Sequence, residues 1–174
     1  GDGPAMRRLK QQILKVAPLD VPVLLVGESG TGKELVAQAI HQLSPRREEA
    51  LVMINAAALP ANLVESELFG YEAGAFTGAE RKGRRGKVEQ ADRSSLFLDE
   101  LGDMPLEMQV KLLRVLEDGS YERIGGQGSR ISNFRLISAS NRDFQRLIDE
   151  GRFRLDLFYR VSAVTIPLPP LRDR

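Results

Sequence analysis

Cysteine is missing from the 174 residues, and histidine occurs once, as His41. The first absence excludes a disulfide framework, a zinc knuckle and a cysteine nucleophile. The second excludes a multi-histidine metal centre. No apolar run approaches the roughly 20 residues that span a bilayer. Lys10, Gln11 and Gln12 interrupt the apolar stretch that a signal peptide would need. A dominant charge is missing too: 25 Lys and Arg nearly cancel 24 Asp and Glu, leaving a net +1. That balance argues against a histone-like or an acidic-tail protein. Hydrophobic residues at 42% and charged residues at 28% are ordinary for a globular chain. The length suits one domain, or one large domain with a small appendage, and about 70% of the unfolded surface can be buried at this size. The first expectation is therefore a soluble intracellular domain without a membrane segment.

Five apolar or β-branched runs predict strands: Val21–Val26, Leu51–Ile54, Ser95–Leu98, Phe134–Ala139 and Ser162–Ile166. Several are continuous rather than alternating, as strands covered on both faces are. Helical spacing separates them. Leu35, Val36, Ala39, Ile40 and Leu43 recur at helix intervals before Ser44-Pro45. Met108, Leu112, Leu113, Val115 and Leu116 form a second stripe, closed by Asp118-Gly119. Strand alternating with helix predicts an α/β domain built on a parallel sheet. There is no internal repeat. The prolines of residues 167–174 predict a linker, and a chain stopping there suggests that something follows.

Gly27-Glu28-Ser29-Gly30-Thr31-Gly32-Lys33-Glu34 follows an apolar strand and opens a helix. Glycines at this spacing let backbone N–H groups turn toward phosphate oxygens, and the helix N-terminus adds positive potential. Lys33 would reach the β- and γ-phosphates. Glu34 stands where a hydroxyl residue usually meets Mg2+, and it has no hydroxyl to offer. The alternative is a plain glycine-rich turn between strand and helix. A second strand, Leu96-Phe97-Leu98, ends in Asp99 and Glu100. Asp99 would hold Mg2+, directly or through water, and Glu100 would polarise the attacking water. Asn55 ends another strand and Ser140-Asn141 a fourth, so Gly27, Asn55, Asp99 and Asn141 would share one rim of the sheet. Each could also be a simple turn former.

Gly74-Ala75-Phe76-Thr77-Gly78-Ala79 matches the GAFTGA signature and follows Glu65-Ser66-Glu67-Leu68-Phe69-Gly70. With the phosphate-loop variant ending in Lys33-Glu34, the chain from Gly1 to Arg174 resembles the AAA+ domain of bacterial enhancer-binding proteins, the NtrC-like activators of sigma-54 RNA polymerase. The resemblance implies a P-loop αβα sandwich on a five-stranded parallel sheet, with a helical lid lying beyond the chain. It implies a cytoplasmic ATPase that assembles as a ring, commonly a hexamer, and remodels the polymerase closed complex. It makes Glu34 the family's usual residue and places Phe76 and Thr77 on a protruding loop that engages sigma-54. By the same resemblance Lys33 binds phosphate, Asp99 binds Mg2+ and Glu100 activates water. Asn55 becomes a switch that can hold Glu100 back, and Ser140-Asn141 becomes the first sensor, where Thr-Asn is more usual.

Arg154 and Arg160 match the family's arginine-finger positions. Counted on a helix that starts at Phe153, Arg154 falls inside the stripe of Phe153, Leu157, Phe158 and Val161. A charge there needs a partner, such as a neighbouring subunit's γ-phosphate. A snorkelling surface arginine, or a helix that starts later, fits the spacing as well. Arg81-Lys82-Gly83-Arg84-Arg85-Gly86-Lys87 carries five basic residues and no acid. It is a candidate promoter-DNA contact beside Phe76, or a solvated face. Without those five, 20 Lys and Arg face 24 Asp and Glu, a net −4 elsewhere. The family more often has an aromatic at Val88, and Gly-Gly-Thr at Arg93-Ser94-Ser95. His41, off the apolar stripe of its helix, is expected on the surface. Two other functions stay open: a nucleotide-dependent interaction module with little hydrolysis, and a AAA+ remodeller of a different protein.

Overall fold

The computed structural model describes residues 3–170 and Arg172. The elements run in the order α1 (Pro4–Val16), β1 (Val23–Val26), α2 (Lys33–Gln42), β2 (Val52–Asn55), α3 (Ala61–Phe69), β3 (Gly70–Tyr71) and β4 (Arg84–Arg85). Then come α4 (Lys87–Gln90), β5 (Ser95–Asp99), a 3-10 turn (Leu101–Asp103), α5 (Leu106–Asp118), β6 (Ser120–Tyr121), β7 (Arg130–Ile131) and β8 (Arg135–Ser140). The chain closes with α6 (Phe144–Asp149), α7 (Leu155–Val161) and β9 (Val164–Pro167). Five strands form one parallel sheet in the order β2-β5-β8-β1-β9. All five predicted strands are present, each displaced by at most two residues at either end. The last runs on through Pro167, which an edge strand tolerates because one side of its backbone pairs with no strand among the described residues. Of the predicted linker, Leu171, Asp173 and Arg174 lie outside the described residues.

Alternate residues of the sheet enter two cores. Leu24, Leu96, Leu98 and Leu136 face α3, α4, α5 and α7, while Leu25, Phe97, Ile137 and Ala139 face α1 and α2. Strands buried on both faces explain the unbroken apolar runs. Arg135 is 3% exposed at the foot of β8, and its guanidinium donates to the carbonyls of Val16, Ala17 and Val21 at 2.8–3.0 Å. The bonds to Val16 and Ala17 satisfy carbonyls that end α1, the bond to Val21 holds the connection to β1, and together they fasten that helix to the sheet.

Two sequence expectations fail in α2. The buried side is formed by Val36, Ala37, Ile40 and His41, whereas Leu35 is 70% exposed and Leu43 is also exposed. The apolar face is thus rotated from the stripe that Leu35 and Leu43 suggest. His41 is buried, not superficial, because both ring nitrogens find partners inside.

Arg93 adopts φ 69°, a left-handed conformation costly for a residue with a Cβ. Its N–H donates to the Asn133 carbonyl at 2.7 Å, so the turn is anchored through backbone that any residue supplies. Arg93→Gly is expected to stabilise the domain by about 1 kcal/mol, read as a higher midpoint in urea denaturation. An unchanged or lower midpoint would contradict the strain assigned to this turn.

Candidate nucleotide site

Parallel pairing sets Asn55 opposite Asp99 and Val26 opposite Ser140. The carboxyl ends of four strands therefore meet on one rim, where α/β sheets bind ligands. Gly27 leaves β1 there, its N–H donating to the Ser140 carbonyl at 3.3 Å. Gly30 and Gly32 take φ of 78° and 87°, which lets the loop turn back onto the first turn of α2. Thr31 Oγ1 donates to the Glu28 carbonyl at 2.8 Å, bracing the loop across its width. Lys33 is 7% exposed and donates from Nζ to the Gly27 carbonyl at 2.9 Å. Glu34 points to solvent from the first turn of α2.

Asn141 Nδ2 donates to Ser29 Oγ at 3.0 Å, joining the end of β8 to the phosphate loop. Ser140 is fully buried, and its hydroxyl accepts the Arg142 N–H at 3.1 Å. Asp99 Oδ1 accepts the Glu100 N–H at 2.9 Å. Glu100 has φ 58°, an uncommon conformation for a non-glycine residue and one that clusters at functional sites. Burial, with the negative charge of Asp99, pushes its carboxyl above the usual glutamate range; Lys33 and Arg142 act against this, and Asp103 adds to it.

Glu100, Asn55, Asn141, Asp103 and Arg142 line one cleft of about 480 Å3. Asn55 Oδ1 accepts the Ala57 N–H at 2.9 Å, so its amide faces the cleft without bonding Glu100. Asp103 and Arg142, which pair with each other across the cleft, carry no motif of their own. Their signal was adjacency to Glu100 and to Asn141. Glu28 was read only as part of the loop, yet its carboxylate receives Arg172 at 3.1 and 3.2 Å. A larger cavity, about 620 Å3, lies at the opposite, amino-terminal ends of the strands. Three of its arginines, Arg46, Arg135 and Arg160, already donate to backbone carbonyls, whereas the smaller cleft is the one lined by Asn55, Glu100 and Asn141.

The structure does not bring Arg154 and Arg160 to that cleft. Arg154 caps the N-terminus of α7 and is exposed; its guanidinium pairs with Asp156 at 2.8 Å, which raises the arginine's affinity for its proton. The helix starts after Arg154, so the count from Phe153 does not apply and Arg154 lies outside the apolar stripe. Arg160 is exposed and donates to the Leu116 carbonyl at 2.8 Å.

Gly74 to Ala79 cross the tip between β3 and β4. Gly74 and Gly78 take φ of 73° and 90° with open space where a Cβ would sit. Phe76 is 43% exposed and meets Tyr71 edge-on, with centroids 4.9 Å apart. Thr77 is exposed. A second hairpin, β6–β7, props this loop: Glu72 N–H donates to the Ile124 carbonyl at 2.9 Å. Arg123 binds Glu89 at 2.8 Å beneath it. Burial raises the Glu89 carboxyl, but bonds from Arg123 and Arg85 outweigh that and hold it below the usual range. Of the five basic residues in 81–87, Arg84 pairs with Glu67 and Arg85 with Glu89. Arg81 and Lys82 are exposed.

A glycine loop on a buried lysine, facing an acid pair across a parallel sheet, defines a P-loop NTPase domain. The P-loop NTPase domain of a sigma-54 activator from E. coli has this fold, at TM-score 0.65 and 18% identity over 98% of this chain and 99% of that one. The family model for the sigma-54 interaction domain matches residues 1–167. The chain belongs to that family, and its fold and site are those of the AAA+ domains found in sigma-54-dependent, NtrC-like activators. It is 56% identical over 170 residues to the transcriptional activator HyfR of Escherichia coli, covering 98% of this chain and 25% of that protein. It is 50% identical over 174 residues to NtrC of Salmonella typhimurium, covering 100% and 37%. NtrX from Brucella abortus, solved in complex with ATP, superposes at TM-score 0.90 with 41% identity, over 100% of this chain and 39% of that one. The chain spans 25% to 37% of the length of these curated relatives. Among the described residues no helix is long and apolar enough to cross a membrane.

The raised Glu100 carboxyl has a stability consequence. An acid that holds its proton more tightly when folded favours folding below its unfolded pKa, and that contribution is lost as pH rises through the folded value. Ionised Glu100 therefore opposes folding at neutral pH. Glu100→Gln should be at least as stable as the parent at pH 7, with the difference shrinking toward pH 4, as measured by denaturation midpoints across pH.

Proposed function

We propose that this domain binds and hydrolyses ATP with Mg2+ and uses the cycle to move the Phe76 loop against sigma-54. In doing so it remodels the polymerase closed complex and activates transcription. The observation that carries this reading is the single rim that joins Lys33, through Gly27, to Asp99, Glu100, Asn55 and Asn141. The phosphate-loop amides of residues 27–34 and Lys33 would hold the β- and γ-phosphates. Asp99 has one oxygen on the Glu100 N–H and a second free for a hydrated cation. No group of three or more His, Cys, Asp or Glu among the described residues could cage a metal, which fits Mg2+ held by one carboxylate and phosphate oxygens. Mg2+ would neutralise charge that develops on the phosphates.

In the hydrolytic step a water oxygen bonds to the γ-phosphorus, the bond to the β–γ bridging oxygen breaks, and Glu100 accepts the water's proton. A carboxyl poised above the ordinary glutamate range suits a proton acceptor. Asn141, bonded to Ser29, would report the phosphates to β8, with Ser140 beneath it. Asn55, in the same cleft as Glu100, would swap its local bond to Ala57 for one to Glu100. Arg154 and Arg160 sit away from their own chain's cleft, so they would serve the site of the next subunit in a ring. The exposed Phe76, with Thr77 between flexible Gly-Ala pairs, offers a compact apolar anchor to sigma-54. Arg81 and Lys82 beside it would meet the phosphate backbone of promoter DNA.

Lys33→Ala is expected to abolish ATP binding, whereas Glu100→Gln keeps binding and loses about 100- to 10,000-fold in turnover. Calorimetry and phosphate release read the two effects separately, and full turnover in Glu100→Gln would overturn its role. Phe76→Ala should keep ATP turnover and lose sigma-54 capture in a pull-down. Normal activation of a sigma-54 promoter by that variant would refute the docking reading.

A further inference from the structure

The one histidine takes no part in the phosphate site, yet it is 4% exposed and bonded at both ring nitrogens. Nε2 lies 2.6 Å from the Glu49 carbonyl, and Nδ1 lies 2.9 Å from Ser95 Oγ. A carbonyl only accepts, so Nε2 carries a proton, and in the neutral ring Nδ1 accepts the Ser95 hydroxyl. Ser95 is itself fully buried.

The positions of the two residues give the bond its meaning. His41 stands in the last turn of α2, whose first residue is Lys33. Ser95 is the first residue of β5, whose last is Asp99. At the helical rise, Lys33 and His41 are about 12 Å apart along α2. At the strand rise, Ser95 and Asp99 are about 13 Å apart along β5. The bond thus closes two rods of matching length whose far ends carry the phosphate lysine and the acid pair. Between them Val36, Ala37 and Ile40 pack in one core with Phe97. Apolar packing is non-directional and sets an axial position less sharply than a buried hydrogen bond, whose length and angle are narrowly fixed. Neighbouring bonds hold the same corner: Ser94 Oγ donates to the Ala50 carbonyl at 2.6 Å, and Arg46 Nη1 donates to the Ser94 carbonyl at 3.0 Å.

We propose that His41 and Ser95 are positioning residues for hydrolysis: their bond sets the axial register of α2 against β5, and so the placement of Lys33 relative to Asp99 and Glu100. The inference rests on the hydrolysis reading above. Its test is ATP turnover and ATP affinity in the full chain carrying Ser95→Ala, Ser95→Thr, His41→Leu, or Ser95→Ala with His41→Leu. Rates are taken per folded molecule, with folding checked by circular dichroism. Ser95→Ala removes one oxygen and decides the matter where His41→Leu does not fold. The expected result is a kcat about 10- to 100-fold lower in Ser95→Ala, because a small misplacement far from the chemistry suffices for that. ATP affinity is expected to stay near that of the parent, since the phosphate loop is untouched. Ser95→Thr, which keeps the hydroxyl, should restore kcat, and the double variant should be no slower than the slower single one. Parental kcat in folded Ser95→Ala would overturn the inference while leaving the hydrolysis reading intact. A parent that binds ATP without turnover would overturn both.

Discussion

Asn55 stands opposite Asp99 across the β2–β5 ladder, and Val26 stands opposite Ser140 across β1–β8. Everything at the nucleotide rim follows from that register. Side chains alternate between faces with a period of two, so a slip of one residue would turn each apolar position of the strand to the wrong core. Leu96 and Leu98 belong to one core and Phe97 to the other, so β5 has one admissible setting. That setting delivers Asp99 and Glu100 to the level of the phosphate loop. The Gly27 N–H to Ser140 carbonyl bond and the Asn141 to Ser29 bond extend the level across to β1.

From this rim the chain runs straight to the Phe76 loop. Asn55 ends β2, a short turn follows, and α3 spans nine residues, about 13 Å, before Gly70-Tyr71 open the hairpin. Tyr71 holds Phe76 edge-on and receives the Glu80 N–H on its hydroxyl. On the proposed reading, a change at Asn55 displaces one end of a packed helix whose other end carries the anchor. The β6–β7 hairpin limits how far the loop moves, since Ile124 is bonded to Gly70 and Glu72 on either side of Tyr71. Ion pairs from Arg123 and Arg130 to Glu72 and Glu89 surround that contact and are strengthened by partial burial.

Departures from simple rules gather around these same places. Glu100 is held in a left-handed conformation at the acid pair, and Arg93 in another just before β5 begins. The first lines the cleft at the carboxyl ends of the strands, and strained backbone of this kind clusters at functional sites. The second lies at the corner where Ser94, Ser95, Arg46 and His41 converge, and their bonds hold the turn against the cost of a side chain at that φ. Arg154 shows another departure: as the N-cap of α7 it takes extended backbone, so a helical wheel drawn through it misplaces it.

The local features were legible in the residues alone: five strands, the glycine spacing before Lys33, the carboxylates ending an apolar strand. Each depends on periodicity or on backbone requirements that act within a few residues. Residues 74–79, an ordinary surface turn by composition, stood out only through the family resemblance. What the order of residues could not show was which side of α2 meets the sheet. Leu35 and Leu43 fit the helical period as well as Val36 and Ile40 do, and only packing against Phe97 and Ile137 chose between them. His41 is the sharpest instance. Polar and off the apparent stripe, it has every local mark of a surface residue. It is buried because Glu49 and Ser95, 8 and 54 residues away in sequence, supply an acceptor and a donor that water would otherwise provide. Asp103, Arg142, Tyr71 and the β6–β7 prop were hidden for the same reason. Local chemistry settled which elements and motifs this chain carries. Tertiary contact settled which polar side chains could leave water, because that depends on partners brought together only by the fold.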